Sequence, residues 1–279
     1  MTHDLPADTQ AAAARVGALL AGRAPLGVAY SGGVDSATLL ALAVRALGAE
    51  NVVAILGVSP SLATDERRAA HATAATIGAR VVEVTTHEGD VAAYRANGPD
   101  RCFHCKDELF ARISDELVAE LGLVAVAYGE NADDALRPDR PGAQAATDHA
   151  VLRPLADAGL TKAMVRAVAR SLDLPVADKP AAPCLASRIP HFEEVTPAKL
   201  RQVDVAEAAV RRLGFADCRV RHHGEVARLE LPAEDIARAA ALHDEVHAAV
   251  SAAGFRFVAL DLRGIQSGAF TLPLVAVRP

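Results

Sequence analysis

Residues 31–36 read Ser31-Gly32-Gly33-Val34-Asp35-Ser36 and join an apolar run, Leu26 to Tyr30, to a helix-forming stretch, Ala37 to Ala43. A strand that breaks into a glycine turn and then a helix start leaves backbone N–H groups pointing into one concavity. Those orphan amides and the helix dipole both favour an anion. Gly32 and Gly33 let the chain turn tightly and bring a ligand close to the backbone. Ser31 and Ser36 add hydroxyl donors. The loop is neither a Walker A motif, since no Gly-Lys-Ser/Thr follows, nor a dinucleotide GxGxxG.

A second constellation is sulfur. Cys102 and Cys105 form Cys-x-x-Cys in PDRCFHCKDELF, and Cys184 follows far along the chain in PAAPCLASRIP. Two thiolates at that spacing can share one metal or cluster, and folding can bring a third. Three thiolates on a four-iron cluster leave one iron open to an exogenous ligand. The same residues are compatible with zinc held by three cysteines and a histidine such as His104. They also suit a redox dithiol at a helix start, or three unrelated free thiols. Cys218, in a strand-like segment, reads as a small buried side chain. Lys106, beside Cys105, reads as a solvated helix residue.

Polar residues supply a third set. Asn131, in Tyr128-Gly129-Glu130-Asn131-Ala132-Asp133-Asp134, follows an apolar run and can reach a nucleotide or cap a short helix. Ser187 and Arg188 follow Cys184, and a guanidinium fork matches phosphate or carboxylate. Arg219 and Arg221 fall on one face of a strand; the pair suits a phosphate, or else an edge strand with solvated charges. His222 and His223 read as surface histidines. Arg140-Pro141-Gly142 reads as a loop that steers the chain towards a ligand or as a surface turn.

The elements that must position these groups alternate. Strands are expected at Leu26–Tyr30, Asn51–Val58, Ala79–Val84 and Leu123–Tyr128. Helices are expected at 8–22, Thr64–Ile77 and Cys105–Leu121, with Gly78 and Gly122 as stops. That pattern specifies an α/β fold: a parallel sheet with helices on both faces, whose ligands sit at the carboxyl ends of strands. Residues 173–197 carry interior prolines and read as a cysteine-bearing loop or linker. Beyond them a helix at Pro197–Leu213, short strands at Cys218–His222 and Val226–Leu231, a helix at Ala233–Val250 and a strand at Phe255–Leu262 make a small α+β domain. The expected division is 1–172, the domain of the anion-binding loop; 173–197, the cysteine-bearing loop or linker; and 198–279, a small α+β substrate or oligomerisation domain of about 80 residues.

The bulk numbers agree. At 279 residues the chain can hold two domains; 51% hydrophobic and 23% charged residues suit a globular protein. A net charge of −6 argues against a non-specific nucleic-acid binder. The sequence shows neither a signal-like pattern nor a stretch of membrane-spanning length, so a cytoplasmic protein is expected. In a reducing compartment four cysteines suit metal binding or chemistry better than disulfides.

Taken together, SGGVDS, PDRCFHCKDELF, GENADD, RPDRPG, PCLASR and RVRHHG, in this order, carry a resemblance that spans nearly the whole chain. SGGVDS resembles the PP-loop of the ATP pyrophosphatase superfamily, and the set is similar to the LarE family of ATP-dependent sulfur transferases. That family builds the nickel-pincer nucleotide cofactor of lactate racemase. The resemblance implies that Ser31, Gly32, Gly33, Asp35, Ser36 and Asn131 bind ATP and its pyrophosphate, with Asp35 near Mg2+. It implies adenylation of a carboxylate of pyridinium-3,5-dicarboxylate mononucleotide, then attack by sulfur to give a thiocarboxylate. Ser187, Arg188, Glu207, Arg219 and Arg221 become substrate-binding candidates. Some members sacrifice the sulfur of the cysteine that matches Cys184; others hold a 4Fe-4S cluster on three cysteines. Cys102, Cys105 and Cys184 match the second pattern, with Cys184 catalytic and sulfide or a cysteine desulfurase as sulfur source. A homo-oligomer is expected. The competing readings are a tRNA-thiolating relative and a non-catalytic ATP-binding protein.

Overall fold

The structure is a computed structural model that describes residues 5–136, 142–266 and 270. It divides into two compact units. The first comprises 1–59, 66–88 and 102–182; the second comprises 60–65, 89–101 and 183–279. Two segments of the N-terminal half, 60–65 and 89–101, therefore cluster with the C-terminal part, and the division falls just before Cys102.

The first unit is built on a four-stranded sheet of order β3-β2-β1-β4, with β1 at Leu26–Ala29, β2 at Val52–Val58, β3 at Arg80–Thr85 and β4 at Ala125–Tyr128. Every pairing is parallel. Val52 to Leu56 are buried without a break, as a strand covered on both faces requires. Helices Ala7–Leu20, Val34–Leu47, Thr64–Ile77 and Lys162–Ser171 supply the cover. This is the expected α/β architecture, with strand ends shifted by one or two residues. In register, Ala29 of β1 lies opposite both Ile55 of β2 and Tyr128 of β4. The loops that leave β1 and β4 therefore start at the same level of the sheet.

The helix expected to begin at Cys105 begins at Arg101, directly after the Gly98-Pro99-Asp100 turn. It runs to Arg112, then passes through a wider π turn, Ile113–Leu117, into Val118–Glu120. Both cysteines of Cys-x-x-Cys are thereby helical.

At the β3 edge, Glu83 accepts from Arg67 Nε at 2.7 Å and Nη2 at 2.5 Å, and His71 Nε2 lies 2.7 Å away. The Arg67 hydrogen bonds, then His71, bring its carboxyl pKa from 4.5 down to about 2. A carboxylate with a depressed folded pKa adds stability above its unfolded value and loses it as protons bind. The contribution is thus complete above pH 4.5 and fades as pH falls towards about 2. Urea midpoints measured across that window should fall less steeply for Glu83→Gln than for the wild-type chain.

The second unit holds a three-stranded sheet of order β5-β6-β7: β5 at Arg219–His223, β6 at Val226–Glu230, β7 at Phe257–Leu260. β5 and β6 form an antiparallel hairpin, and β7 runs parallel to β6. The helix Pro197–Arg212 starts from Thr196, whose hydroxyl accepts from Lys199 N, with Pro197 in its first turn. Its Ala206 and Val210 join Phe215, Val220, Leu229, Val246, Val250 and Phe255 in one core. The helix expected at Ala233–Val250 is broken: a 3-10 turn Ala233–Asp235 leads into Ile236–Ala241, and a second helix, His243–Ser251, follows Leu242. Among the described residues, no helix is long and apolar enough to cross a membrane.

Candidate functional site

In the first unit the SGGVDS loop leaves the carboxyl end of β1 and becomes the helix Val34–Leu47, with Gly33 as its N-cap. Gly32 sits at φ +73, and a Cβ there would lie 2.7 Å from Ala70 Cβ, so glycine is required twice over. Ala70 grips the loop from a second direction, because its carbonyl accepts from Tyr30 OH at 2.9 Å. Burial pushes the Tyr30 phenol up to about 12, so it stays a donor at all physiological pH. The two serines close the turn: Ser36 Oγ accepts from Ser31 N at 3.2 Å and lies 3.2 Å from Ser31 Oγ. Gly129, after β4, meets the same helix start; a Cβ on it would fall 2.7 Å from Ser36 N. Sequence reasoning passed over Gly129, since nothing local demands glycine there.

Asp35, in the first turn of that helix, is the centre of a polar network. Asn131 Nδ2 donates to Asp35 Oδ1 at 3.2 Å and to Asp134 Oδ2 at 2.8 Å, while Asn131 Oδ1 caps Asp134 N at 3.0 Å. Asn131 therefore caps the short helix Ala132–Ala135 and touches Asp35 at once. Lys162 Nζ pairs with Asp35 Oδ2 at 2.5 Å, and Lys162 N donates to Asp133 Oδ2 at 2.8 Å. Lys162 was missed in the sequence. It stands 127 residues from Asp35, at the first turn of a helix capped by Thr161. The one local signal was that Thr cap before an amphipathic run. The arrangement gives a backbone nest, two hydroxyls, a carboxylate and an ammonium at the carboxyl end of a parallel sheet, which is the kit for a metal-bound polyphosphate.

Cys102 and Cys105 occupy the start of the helix Arg101–Arg112, three apart and so on one side of it; Cys102 is exposed and Cys105 half-buried. Lys106 departs from expectation. Its ammonium lies 4.6 Å from the centre of the Tyr128 ring, and a Cβ on Gly142 would come within 2.7 Å of its stem. It is a packed residue held at the end of β4, rather than a solvated one. Gly142 is thereby explained, whereas Arg140 and Pro141 lie outside the described residues. Cys184, in the second unit, is exposed and immediately precedes the short turn Leu185–Arg188. Among the described residues, no three Cys, His, Asp or Glu side chains are gathered to hold a metal ion. The donor set itself, three thiols free of disulfides, suits soft iron–sulfur or zinc ligation. Cys218 is buried as expected, and burial with the nearby Glu207 carboxylate pushes its thiol up to about 12.

The second unit also holds a buried charge network. Glu207 is fully buried and binds Arg188 through both oxygens, at 2.8 and 3.2 Å. It also binds Arg211 at 2.8 Å and the Val220 amide at 3.0 Å. Burial opposes the Arg188 charge, and Glu207 more than offsets it, so the guanidinium is held above the usual arginine range. Its remaining donors reach Pro183 O at 2.7 Å and Ser187 Oγ at 2.9 Å, which fixes the turn after Cys184. Arg219 and Arg221 share one face of β5, and both donate to Gln266 O at 3.0 Å. β5 is an edge strand, but both arginines are buried, contrary to the alternative of solvated charges. Arg221 pairs with Glu230 at 2.7 Å and donates to Ser187 O at 3.0 Å. Its Nε has no hydrogen-bond partner among the described residues. Burial first, then Arg188 and Arg221, pull the Arg219 guanidinium below the ordinary arginine range. A site where cations are desolvated and crowd one another favours an anionic guest. His222 corrects the surface reading: it is buried, bonds Gln202 Oε1 at 3.1 Å and packs edge-on against Phe255.

Comparison with known proteins places these features. The asparagine synthase family model matches residues 10–115, which include the SGGVDS loop. An uncharacterized protein of Synechocystis is 44% identical over 86% of this chain and 90% of its own. A Methanocaldococcus jannaschii protein, also uncharacterized, is 26% identical over 61% of this chain and 66% of its own. The pyridinium-3,5-bisthiocarboxylic acid mononucleotide synthase of Lactiplantibacillus plantarum is 34% identical over 86% of this chain and 87% of its own. This chain, whose loop after β1 meets Asp35 and Lys162 and which carries Cys102, Cys105 and Cys184 outside any disulfide, is thus related over most of its length to a bisthiocarboxylic acid mononucleotide synthase, and it belongs to the pyridinium-3,5-bisthiocarboxylic acid mononucleotide synthase (LarE) family.

Proposed function

We propose that the chain is an ATP-dependent, AMP-forming sulfurtransferase that acts on pyridinium-3,5-dicarboxylate mononucleotide. The observation that carries the reading is the loop after β1: a Gly32 turn and helix start beside Asp35, Asn131 and Lys162. In the first half-reaction a substrate carboxylate oxygen attacks the α-phosphorus of ATP. The bond to the β-phosphate oxygen breaks, pyrophosphate leaves, and an acyl adenylate forms. Ser31, Gly32, Gly33 and Ser36 hold the departing pyrophosphate. Asp35 would hold Mg2+, which would neutralise phosphate charge, and Lys162, released from Asp35, would meet the phosphates. In the second half-reaction a sulfur nucleophile attacks the activated carbonyl. AMP leaves with the bonding pair, and a thiocarboxylate results.

Cys102, Cys105 and Cys184 would hold a 4Fe-4S cluster, which with three thiolate ligands offers one open iron for an exogenous sulfide. Arg219 and Arg221 bind the substrate phosphate, with the Nε of Arg221 as a donor awaiting an acceptor. Arg188 and Glu207 set the turn that carries Cys184 and Ser187. Glu207 acts by ordering Arg188, Arg211 and β5, since its carboxylate is committed to them.

The test is a pair of assays on the chain reconstituted anaerobically with iron and sulfide. Pyrophosphate release should require the dicarboxylate mononucleotide, and mass spectrometry should show oxygen replaced by sulfur in it. Release stimulated instead by tRNA would transfer the activity to nucleobase thiolation. ATP binding with no release under either condition would leave a nucleotide-binding protein only.

A further inference from the structure

Residues 183–195 contain one short turn, Leu185–Arg188, and no strand, so their shape depends on anchors elsewhere in the second unit. Asn97 is the chief anchor. It is fully buried and left-handed, at φ +57, a conformation that asparagine tolerates better than most residues. Its Nδ2 donates to Pro190 O at 2.7 Å, Glu193 O at 3.1 Å and Ile189 O at 3.3 Å. Two hydrogens serve three carbonyls, so one is shared. The Asn97 carbonyl accepts from Phe192 N at 3.1 Å, and His191 Nδ1 lies 3.0 Å from it. Arg101 completes the assembly. It is 8% exposed, and its Nη1 donates to Asn97 Oδ1 and to Ala186 O at 2.9 Å.

The structure assigns Asn97 and Arg101 as positioning residues that latch the Cys184 turn. The latch acts at both ends of the sulfur chemistry: Ala186 stands two residues after Cys184, and Arg101 is bonded covalently to Cys102. Both bonds leave one nitrogen, Nη1, which the rigid guanidinium plane holds in position; a lysine ammonium has hydrogens for both acceptors but carries them on a shorter, more flexible stem. Burial makes the bonds to Ile189 O and Ala186 O the costliest to lose, since those carbonyls are shielded from water. This inference rests on the proposal that Cys102, Cys105 and Cys184 serve one group. It adds that the turn carrying Cys184 is ordered before any iron or sulfide is bound.

The experiment uses the full, cluster-free chain with Cys105→Ser and the bifunctional thiol reagent dibromobimane. In the parent chain the reagent should join Cys102 to Cys184, read as fluorescence and as a linked peptide by mass spectrometry. Asn97→Gly keeps the left-handed backbone and deletes the side-chain bonds; Arg101→Gln shortens and neutralises the fork. Each should lower the cross-linking rate. With Cys105 restored, each should also lower iron affinity about 10–100-fold, as loss of ligand-orienting partners does. Arg101→Lys should recover part of both. Cys218 serves as the internal control, because its buried thiol should stay unreactive. Unchanged cross-linking in Asn97→Gly overturns the latch, and that variant decides alone where Arg101→Gln fails to fold. A loss of cross-linking accompanied by reaction at Cys218 reports general unfolding and overturns it too. No cross-link in the parent chain instead overturns the shared-thiol reading on which the latch rests.

Discussion

Cys184→Ser is expected to abolish thiocarboxylate formation while ATP- and substrate-dependent pyrophosphate release stays within about twofold of wild type. The separation follows from where the residues lie. The loop after β1 and its partners Asp35, Asn131 and Lys162 belong entirely to the first unit, whereas Cys184 stands in the second. Serine is nearly isosteric with cysteine, so the turn Leu185–Arg188 and its Arg188 bonds should persist. On the proposed reading the change falls on the ligand: a hard hydroxyl would replace the soft thiolate that iron–sulfur ligation requires. Cys102→Ser and Cys105→Ser should give the same split. Product measured per chain over many turnovers checks the point. A Cys184→Ser chain that still makes thiocarboxylate at more than half the wild-type rate would remove Cys184 from the chemistry. Product that stops at one equivalent in the wild type, with the chain lighter by hydrogen sulfide, would mean that Cys184 gives up its own sulfur.

Asp35→Asn is expected to lower kcat for pyrophosphate release by about 10²–10³-fold, with a smaller rise in the KM for ATP. The substitution keeps shape and hydrogen-bonding capacity, so the helix start and Asn131 cap should hold. It removes the charge that pairs with Lys162 and that a hard cation needs. The effect should fall mainly on kcat, because the cation and the freed ammonium act on charge that moves to the leaving pyrophosphate. Steady-state kinetics with varied ATP and Mg2+ separate the two constants. Excess Mg2+ should not restore the rate. A change confined to KM would demote Asp35 to a ground-state contact.

Much of this was legible in the sequence wherever a local rule decided the outcome. The loop after β1 was legible because strand, glycine turn and helix start are consecutive. Parallel strands announced themselves by unbroken apolar runs, as in Val52 to Leu56. Cys218 was legible from its strand context. What failed was everything set by partners distant in sequence. Lys162 finds Asp35 from 127 residues away, and Gly129 is forced by the backbone at Ser36. His222 alternates with polar neighbours along β5, yet Gln202 and Phe255 enclose it. Lys106 looked solvated because a helical lysine usually is; the Tyr128 ring and Gly142 make it otherwise. Asn97 and Arg101 carried no motif at all, since their bonds go to backbone carbonyls that any residue could supply.

The depth at which Cys218 is sealed has a practical consequence. With its ionisation moved to about 12, only a minute fraction of that sulfur is nucleophilic near neutrality. Colorimetric titration of the native, iron-free chain therefore counts three sulfhydryls, and denaturant reveals the fourth. Any loss from that native count reads directly how many of Cys102, Cys105 and Cys184 are engaged.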